Sequence, residues 1–428
     1  MSRKLDRRNW LKQSLTASAS LLAGNTLASG INNFNISKKR KPVAVVAGAG
    51  VMGSWTAYFL LKAGYDVTLC DPWGAGNPHA SSGGETRLIR YLYGKNEIYF
   101  NLAKRSMELW KQEQKAIGKK LFYQNGMLIF SEMPVYDYAK ESRALYEANG
   151  YKLDKIPAKD LKKLYPFINT EDLDHAIYDK EAGFLLAADS CKQVANSIET
   201  QGGTFKFASV KPGKVESGKM KEVILPDGTK LNADIFVFAN GPWLGKLFPD
   251  VFDGKLMVTR QPLFFFSPPK EFAAKLKIPF PVWMNRDKAN KERSYGVYDP
   301  VLDGFKFAYT QLEVRDFDPE YDPRIVQQSE IEHARYLMEK RFSFMRNAPL
   351  LFSKVCQHTD TPDKNFILDQ HPECGNVWLM GGGSGHAFKH GPALGELATK
   401  QITDSIMPIE DFSIKRLEIL SSFTKNHK

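Results

Sequence analysis

The stretch VAVVAGAGVMGSWTAYFLLKAGYDVTLCD, Val43 to Asp71, decides the fold. Val43–Ala47 is a short apolar run suited to a parallel strand buried on both faces. Gly48-Ala49-Gly50-Val51-Met52-Gly53 follows as G-x-G-x-x-G. Ser54 to Ala63 then carries apolar residues at helical spacing, and Gly64 ends it. Tyr65 to Cys70 reads as a second strand, closing on Asp71. Each glycine has a physical task. Gly48 makes the tight turn, Gly50 lets a pyrophosphate approach the backbone, and Gly53 lets the helix pack close to the strand. Unpaired N–H groups and the positive dipole end at the helix start suit phosphate. Asp71 lies 23 residues after Gly48, close to the roughly 20 expected of a carboxylate that binds ribose hydroxyls. In this strand–turn–helix–strand context the motif predicts an adenine dinucleotide. It does not separate FAD from NAD.

The remaining bulk properties bound the reading. A chain of 428 residues predicts two domains or one with a large insertion. Hydrophobic residues at 43% and charged residues at 25% describe an ordinary globular protein. The formal charge of +11 is concentrated at the N-terminus. Residues 1–41 hold nine Lys/Arg against Asp6, a net +8, which leaves +3 for residues 42–428. So nearly neutral a remainder gives no nucleic-acid footprint. Cys70, Cys191, Cys356 and Cys374 form no C-x-x-C pair and are too scattered for a disulfide scaffold or a zinc site; no metal is expected.

Residues 1–28 read as an export signal. Arg7-Arg8-Asn9-Trp10-Leu11-Lys12 is similar to the twin-arginine pattern, with Asp6 where Ser or Thr often stands. The mildly apolar run Gln13–Ala28 is too short and too polar to span a membrane. Residues 29–41 read as a tether. The expected partner is the twin-arginine export machinery and the expected location periplasmic. That route carries folded proteins, often with a cofactor inside.

Five further motifs occur in order. They are Ser81-Ser82-Gly83-Gly84-Glu85-Thr86-Arg87-Leu88-Ile89-Arg90-Tyr91-Leu92-Tyr93-Gly94; Ala233 to Trp243; Gly304 to Tyr309; Ser353 to Pro372 around Cys356; and Gly383-Ser384-Gly385-His386-Ala387-Phe388-Lys389. Together they resemble monomeric sarcosine oxidase and N-methyltryptophan oxidase, of the D-amino-acid-oxidase-like flavoproteins, over roughly residues 42–410. The resemblance implies an α/β plus α+β architecture, a Rossmann-like FAD domain interleaved with a sheet-rich substrate domain. The FAD domain is expected over 42–120, 184–255 and 345–410, the substrate domain over 121–183 and 256–344, and a C-terminal tail over 411–428. Gln261–Phe266 and Arg293–Tyr298 read as strands, Ser329–Arg341 as a helix, and Phe264–Phe266 as sheet core.

The resemblance also implies a reaction: a secondary amine beside a carboxylate is oxidised to an imine, and O2 is reduced to H2O2. Cys356, on its residue type alone either a small buried hydrophobe or a nucleophile, matches the cysteine that tethers FAD covalently. Arg90 and Lys389 match the pair that binds the substrate carboxylate, arginine as a fork and lysine as a point charge. Lys306 matches the lysine whose charge assists O2 reduction. Arg87 and Thr86 match residues close to the flavin ring, and Gly385 and His386 lie in the C-terminal flavin loop. Tyr295 is expected to contact substrate. The helix expected from Gly391-Pro392 would direct its positive end at the flavin. Three positions depart from the sarcosine oxidases. Gly83 and Thr310 stand where those enzymes have histidine, and His358 where they have tyrosine. The missing bulk at Gly83 predicts a larger substrate, and His358 is either a pocket base or a satisfied strand histidine. The alternatives are a dehydrogenase feeding a quinone or cytochrome, a low-turnover flavin-binding protein, and an NAD-dependent dehydrogenase.

Overall fold

The computed structural model describes residues 40–132, 139–276, 280–286, 293–310 and 316–421. The expected export signal and nearly all of the tether lie outside the described residues, as do residues 422–428 of the tail. Both large sheets belong to one unit that begins at Lys41.

Val43–Ala47 is the strand expected of its apolar run, four of its five residues buried. It pairs in parallel with Asp66–Cys70 on one side and Ile235–Phe238 on the other. Thr204–Lys206 extends one flank in parallel. Cys374–Gly381 extends the other, and an antiparallel edge strand, Ile367–His371, completes six strands. The chain leaves Val43–Ala47 between neighbours reached in opposite directions, so a crevice opens at the strands' carboxyl ends. The helix starts at Val51, three residues earlier than its apolar spacing suggests, and runs to Lys62. Gly53 is therefore its third residue, and a Cβ there would lie 1.9 Å from the Gly48 carbonyl oxygen. Close packing of the helix onto the turn puts that glycine inside the helix. The helix Glu97–Ile117 covers this layer. Asn96 caps its start by accepting from Tyr99 N at 3.1 Å, and left-handed Gly118 ends it.

The second sheet has eight strands, in the order Leu350–Asp360, Met257–Phe266, Gly304–Tyr309, Ser294–Asp299, Val282–Arg286, Met127–Glu132, Leu173–Asp179 and Leu153–Pro157. Its two faces differ because side chains alternate along a strand. Phe305, Phe307 and Tyr309 join Phe264, Phe266, Trp283 and Phe342 in one apolar core. Helix Gln328–Arg341, with a Gln327/Glu330 capping box, supplies Ala334, Leu337 and Met338 to it. Lys306 and Ala308 necessarily face the other way. So does the alternate set Lys354, Cys356 and His358 on the strand two places along, paired through Leu263 and Gln261. That second face carries chemistry. The tail residues Phe412, Ile414 and Leu417 are buried rather than trailing. Among the described residues no helix is long and apolar enough to cross a membrane, and no group of three or more His, Cys, Asp or Glu could hold a metal ion.

Candidate active site

One continuous cavity of about 1490 Å³ runs from the glycine turn to the second face of the eight-stranded sheet. Pockets for single small ligands typically measure roughly 300–1,000 Å³, so this one has room for a dinucleotide and a further molecule.

At one end Gly48 has φ +97°, and a Cβ there would lie 2.5 Å from the Ala239 carbonyl oxygen. Only glycine fits this approach of turn to strand. Gly50 differs: its Cβ direction meets only Ser82 Oγ, at 3.4 Å, so its backbone stands open to the cavity. Ser82 Oγ accepts from Val51 N at 3.0 Å and fastens the motif segment to the helix start. Asp71 lines the cavity, and both its carboxylate oxygens are engaged. Oδ2 accepts from Ala49 N at 2.9 Å, and Oδ1 from Trp73 N at 2.9 Å and from Asn77 Nδ2 at 3.2 Å. Burial pushes its pKa up against these hydrogen bonds, which pull it down. The carboxylate thus clamps the glycine turn it was expected to serve through ribose.

In mid-cavity, strand Thr86–Ile89 meets the eight-stranded sheet. Arg87 donates from Nη1 to Thr86 O at 2.9 Å, and from Nη2 to Ser81 O at 2.8 Å and Cys356 Sγ at 3.2 Å. Cys356 lines the cavity with that guanidinium against its sulfur. Lys306 lies just beneath the wall, 1% exposed, and donates to Thr86 O at 2.6 Å. Burial, then the nearby Arg87 charge, lowers its pKa to about 7. Thr86 Oγ1 is buried without a partner. An open Gly50 backbone and a thiol on one wall fit a flavin dinucleotide, and the orphaned Thr86 hydroxyl lies behind the wall that Arg87 forms. Tyr295 lies across from Lys306, its ring centre 6.0 Å from Nζ, and burial raises its phenol pKa.

At the far end Arg90 and Lys389 both line the cavity. Arg90 donates to Leu92 O and lies 5.2 Å from the Tyr93 ring centre. Lys389 donates to Tyr93 Oη and to His386 O, each at 2.7 Å. It is 5% exposed and has no carboxylate partner among the described residues; burial, then Arg90, pushes its pKa well down. His358 faces the same space, its ring against Gly385, where a Cβ would come within 2.8 Å. Burial lowers it to about 4, so it is a neutral base. Burial and Lys389 lower His386 to about 3. Helix Gly391–Ile402 begins just beyond, with proline in its first turn. Thr310 also lines the cavity.

Gly83 does not open this space. It is not part of the cavity wall, and its Cβ direction is filled by the Asn77 carbonyl oxygen at 1.8 Å. Glycine is needed there by the loop, and the larger-substrate reading loses that support. Sequence reasoning also missed Tyr93, on which three polar groups converge, and Asn77, which closes the loop. Tyr93 stands three residues after Arg90 in the quoted motif, and that spacing was its only signal.

A sequence model of the FAD dependent oxidoreductase (DAO) family matches residues 44–401. Monomeric sarcosine oxidase of Bacillus sp. (strain B-0618) is 28% identical over 399 residues, covering 89% of this chain and 97% of that protein. N-methyl-L-tryptophan oxidase of Yersinia pestis (strain Pestoides F) is 25% identical, covering 87% and 98%. The crystal structure of fructosamine oxidase (Amadoriase II) from Aspergillus fumigatus superposes with a TM-score of 0.73 at 18% identity, over 87% of this chain and 89% of that one. The last likeness shows a shared fold.

Proposed function

The chain belongs to the FAD dependent oxidoreductase family, and we propose that it oxidises a carboxylate-bearing secondary amine, an N-alkyl or cyclic amino acid, to its imine while O2 becomes H2O2. One observation carries this reading. Two basic side chains, the Arg90 guanidinium and the Lys389 amine, face the same cavity as the dinucleotide turn, and that cavity also meets a sheet face bearing Cys356, His358 and the buried Lys306. Sarcosine oxidase and N-methyltryptophan oxidase among the relatives support the amine class.

FAD, when bound, supplies the two-electron acceptor for the amine's α-C–H and returns those electrons to O2. Gly48, Gly50, Gly53, Asp71 and Ser82 would hold its dinucleotide half, and Thr86, Arg87, Gly385 and His386 would surround the rest. Cys356 would bond it covalently, a role supported by its place in the cavity lining and its Arg87 partner. Arg90 and Lys389 bind the substrate carboxylate and so fix where the α-carbon sits. His358, kept neutral by burial, can accept a hydrogen bond from the amine. Lys306 offers a positive charge to the anion that forms as O2 takes up electrons, which favours an oxidase over a dehydrogenase. The Arg7–Lys12 segment supports export to the periplasm by the twin-arginine route.

An anaerobic screen tests the function: sarcosine, N-methyl amino acids, pipecolate, proline and glycated amino acids are mixed with the purified holoenzyme. At least one should bleach the flavin, and admitting O2 should return the colour with one H2O2 per turnover. No bleaching by any carboxylate-bearing secondary amine would overturn the reading; bleaching without peroxide would make the chain a dehydrogenase.

A further inference from the structure

Tyr93 Oη is shared by three nitrogen groups, and a phenol oxygen has one proton and two lone pairs. Lys389 Nζ donates to it at 2.7 Å. His386 Nδ1 lies at 3.1 Å and His390 Nε2 at 2.7 Å. His386 Nε2 lies 3.0 Å from Lys364 O. A carbonyl only accepts, so Nε2 carries the hydrogen and the neutral ring presents a bare Nδ1 that can take the Tyr93 proton. His390, 0% exposed, brings its Nε2 to the same phenol oxygen and its ring to the Leu102 backbone carbonyl. Burial pushes both imidazoles towards the neutral form, so the phenol and the two rings bring Lys389 no counter-charge.

The charged surroundings point the same way. The segment after strand Thr86–Ile89 contributes Arg90, a like charge, and the phenol of Tyr93. The loop and turn that carry Lys389 contribute His386 and His390, both pushed down by burial. Helix Glu97–Ile117 contributes uncharged Trp110, whose Nε1 donates to Lys389 O at 3.1 Å. From the eight-stranded sheet come neutral His358 and Asp360, and Asp360 is already paired with Lys364 at 3.0 Å. An ammonium at Lys389 thus has a phenol and a carbonyl for company, and a cation as neighbour. Beyond what the described residues offer, a substrate carboxylate would be its first counter-ion.

We propose that Tyr93 is a positioning residue for carboxylate recognition: its phenol oxygen holds Lys389 Nζ beside Arg90, and carboxylate binding is coupled to uptake of one solvent proton by Lys389. The inference rests on the carboxylate reading of Arg90 and Lys389. The carboxylate stays ionised and the amine becomes ammonium, so one proton balances the step. The direction in pH follows. Above the depressed pKa of Lys389 the proton must be drawn from solvent, and affinity falls as pH rises. Removing the phenol removes an acceptor that favours the ammonium, so the fall should begin at lower pH.

Calorimetry with methoxyacetate, a carboxylate without an oxidisable amine, tests this on the holoenzyme between pH 6 and 9. Two buffers of different ionisation heat report the protons taken up. The wild type should take up protons, at most one per ligand bound, and bind more weakly as pH rises. Tyr93→Phe, which keeps the ring beside Arg90, should weaken binding about tenfold and move the pH profile down. Arg90→Gln and Lys389→Met separate the two ideas. If they lose binding while Tyr93→Phe matches the wild type in affinity and profile, the Tyr93 role is wrong. If no variant alters binding, or the wild type binds no methoxyacetate, the carboxylate reading itself fails. The wild-type measurement needs no variant to fold; zero proton uptake with a flat profile would overturn the coupling.

Discussion

Lys306→Met should make the protein more stable and the enzyme worse at one half of its reaction. Lys306 is 1% exposed, and its ammonium has one hydrogen-bond partner, Thr86 O. Burial and Arg87 lower its pKa from 10.5 to about 7. A shift of ~3.5 units at ~1.36 kcal/mol each makes ~5 kcal/mol the ceiling on what the folded state loses by burying this lysine. Methionine keeps the length and apolar stem but leaves Thr86 O short of a donor, which costs ~1–3 kcal/mol. Urea unfolding of flavin-free protein at pH 7 should therefore show a net gain of at most ~2–4 kcal/mol. The gain should depend on pH. Between pH 7 and 10.5 the unfolded wild type holds a proton that the folded wild type lacks, so wild-type stability rises with pH by up to ~1.4 kcal/mol per unit. The advantage of methionine should be greatest below pH 7 and shrink towards pH 10.5. In stopped flow, anaerobic flavin reduction should fall modestly and reoxidation by O2 by orders of magnitude, because O2 gains its negative charge only in the second step. A Met variant less stable than wild type at pH 7 would refute the burial argument. Unchanged reoxidation would remove Lys306 from the oxygen step and favour a dehydrogenase.

Wild-type protein denatured in acid or SDS should keep its yellow colour on the polypeptide, and Cys356→Ser should release it; free flavin from the wild type would end the covalent proposal. Gly83→Ala should cost stability, by ~1–3 kcal/mol or more as for an overpacked site, because its Cβ would meet the Asn77 carbonyl at 1.8 Å. Thermal melts would show it, and an unchanged melting temperature would mean the loop yields freely. Arg7→Lys with Arg8→Lys should strand precursor in the cytoplasm on fractionation, and normal delivery would count against the export reading.

The dinucleotide half was legible because its demands are local. A strand, three glycines at fixed offsets and a closing carboxylate each act on neighbours within thirty residues, so spacing carries the information. Even there the helix start was misplaced, because Gly53 read as turn while packing against Gly48 O put it inside the helix. The sheet face was half legible. Alternation predicts that Lys306 opposes Phe305 and Phe307, but not that Cys356 arrives from a strand 50 residues later to share its side. Gly83 was legible as a departure but not in its packing, and Tyr93 only through its spacing from Arg90. What fills the space beside a glycine, or which histidines meet a phenol, is decided by segments distant in sequence: Tyr93 and His390 are 297 positions apart.

Lys306 and Lys389 are both buried lysines, and neither contacts a carboxylate among the described residues. A fold selected for stability alone would replace such groups with apolar ones. Elsewhere this chain pairs its buried cations: Arg341, also 1% exposed, is held by Asp172, Glu132 and Asn285. On the proposed function, the contrast is that of two lysines kept for anions the protein does not itself provide. Lys389 opens onto the cavity, where an anionic group of a ligand can reach it. Lys306 lies beneath the wall, so its charge acts through the Thr86–Arg87 layer and not by contact. A contact cation suits binding, since it discriminates by position. A recessed one suits charge that appears only during reaction, since it need not be displaced when reactants enter and leave.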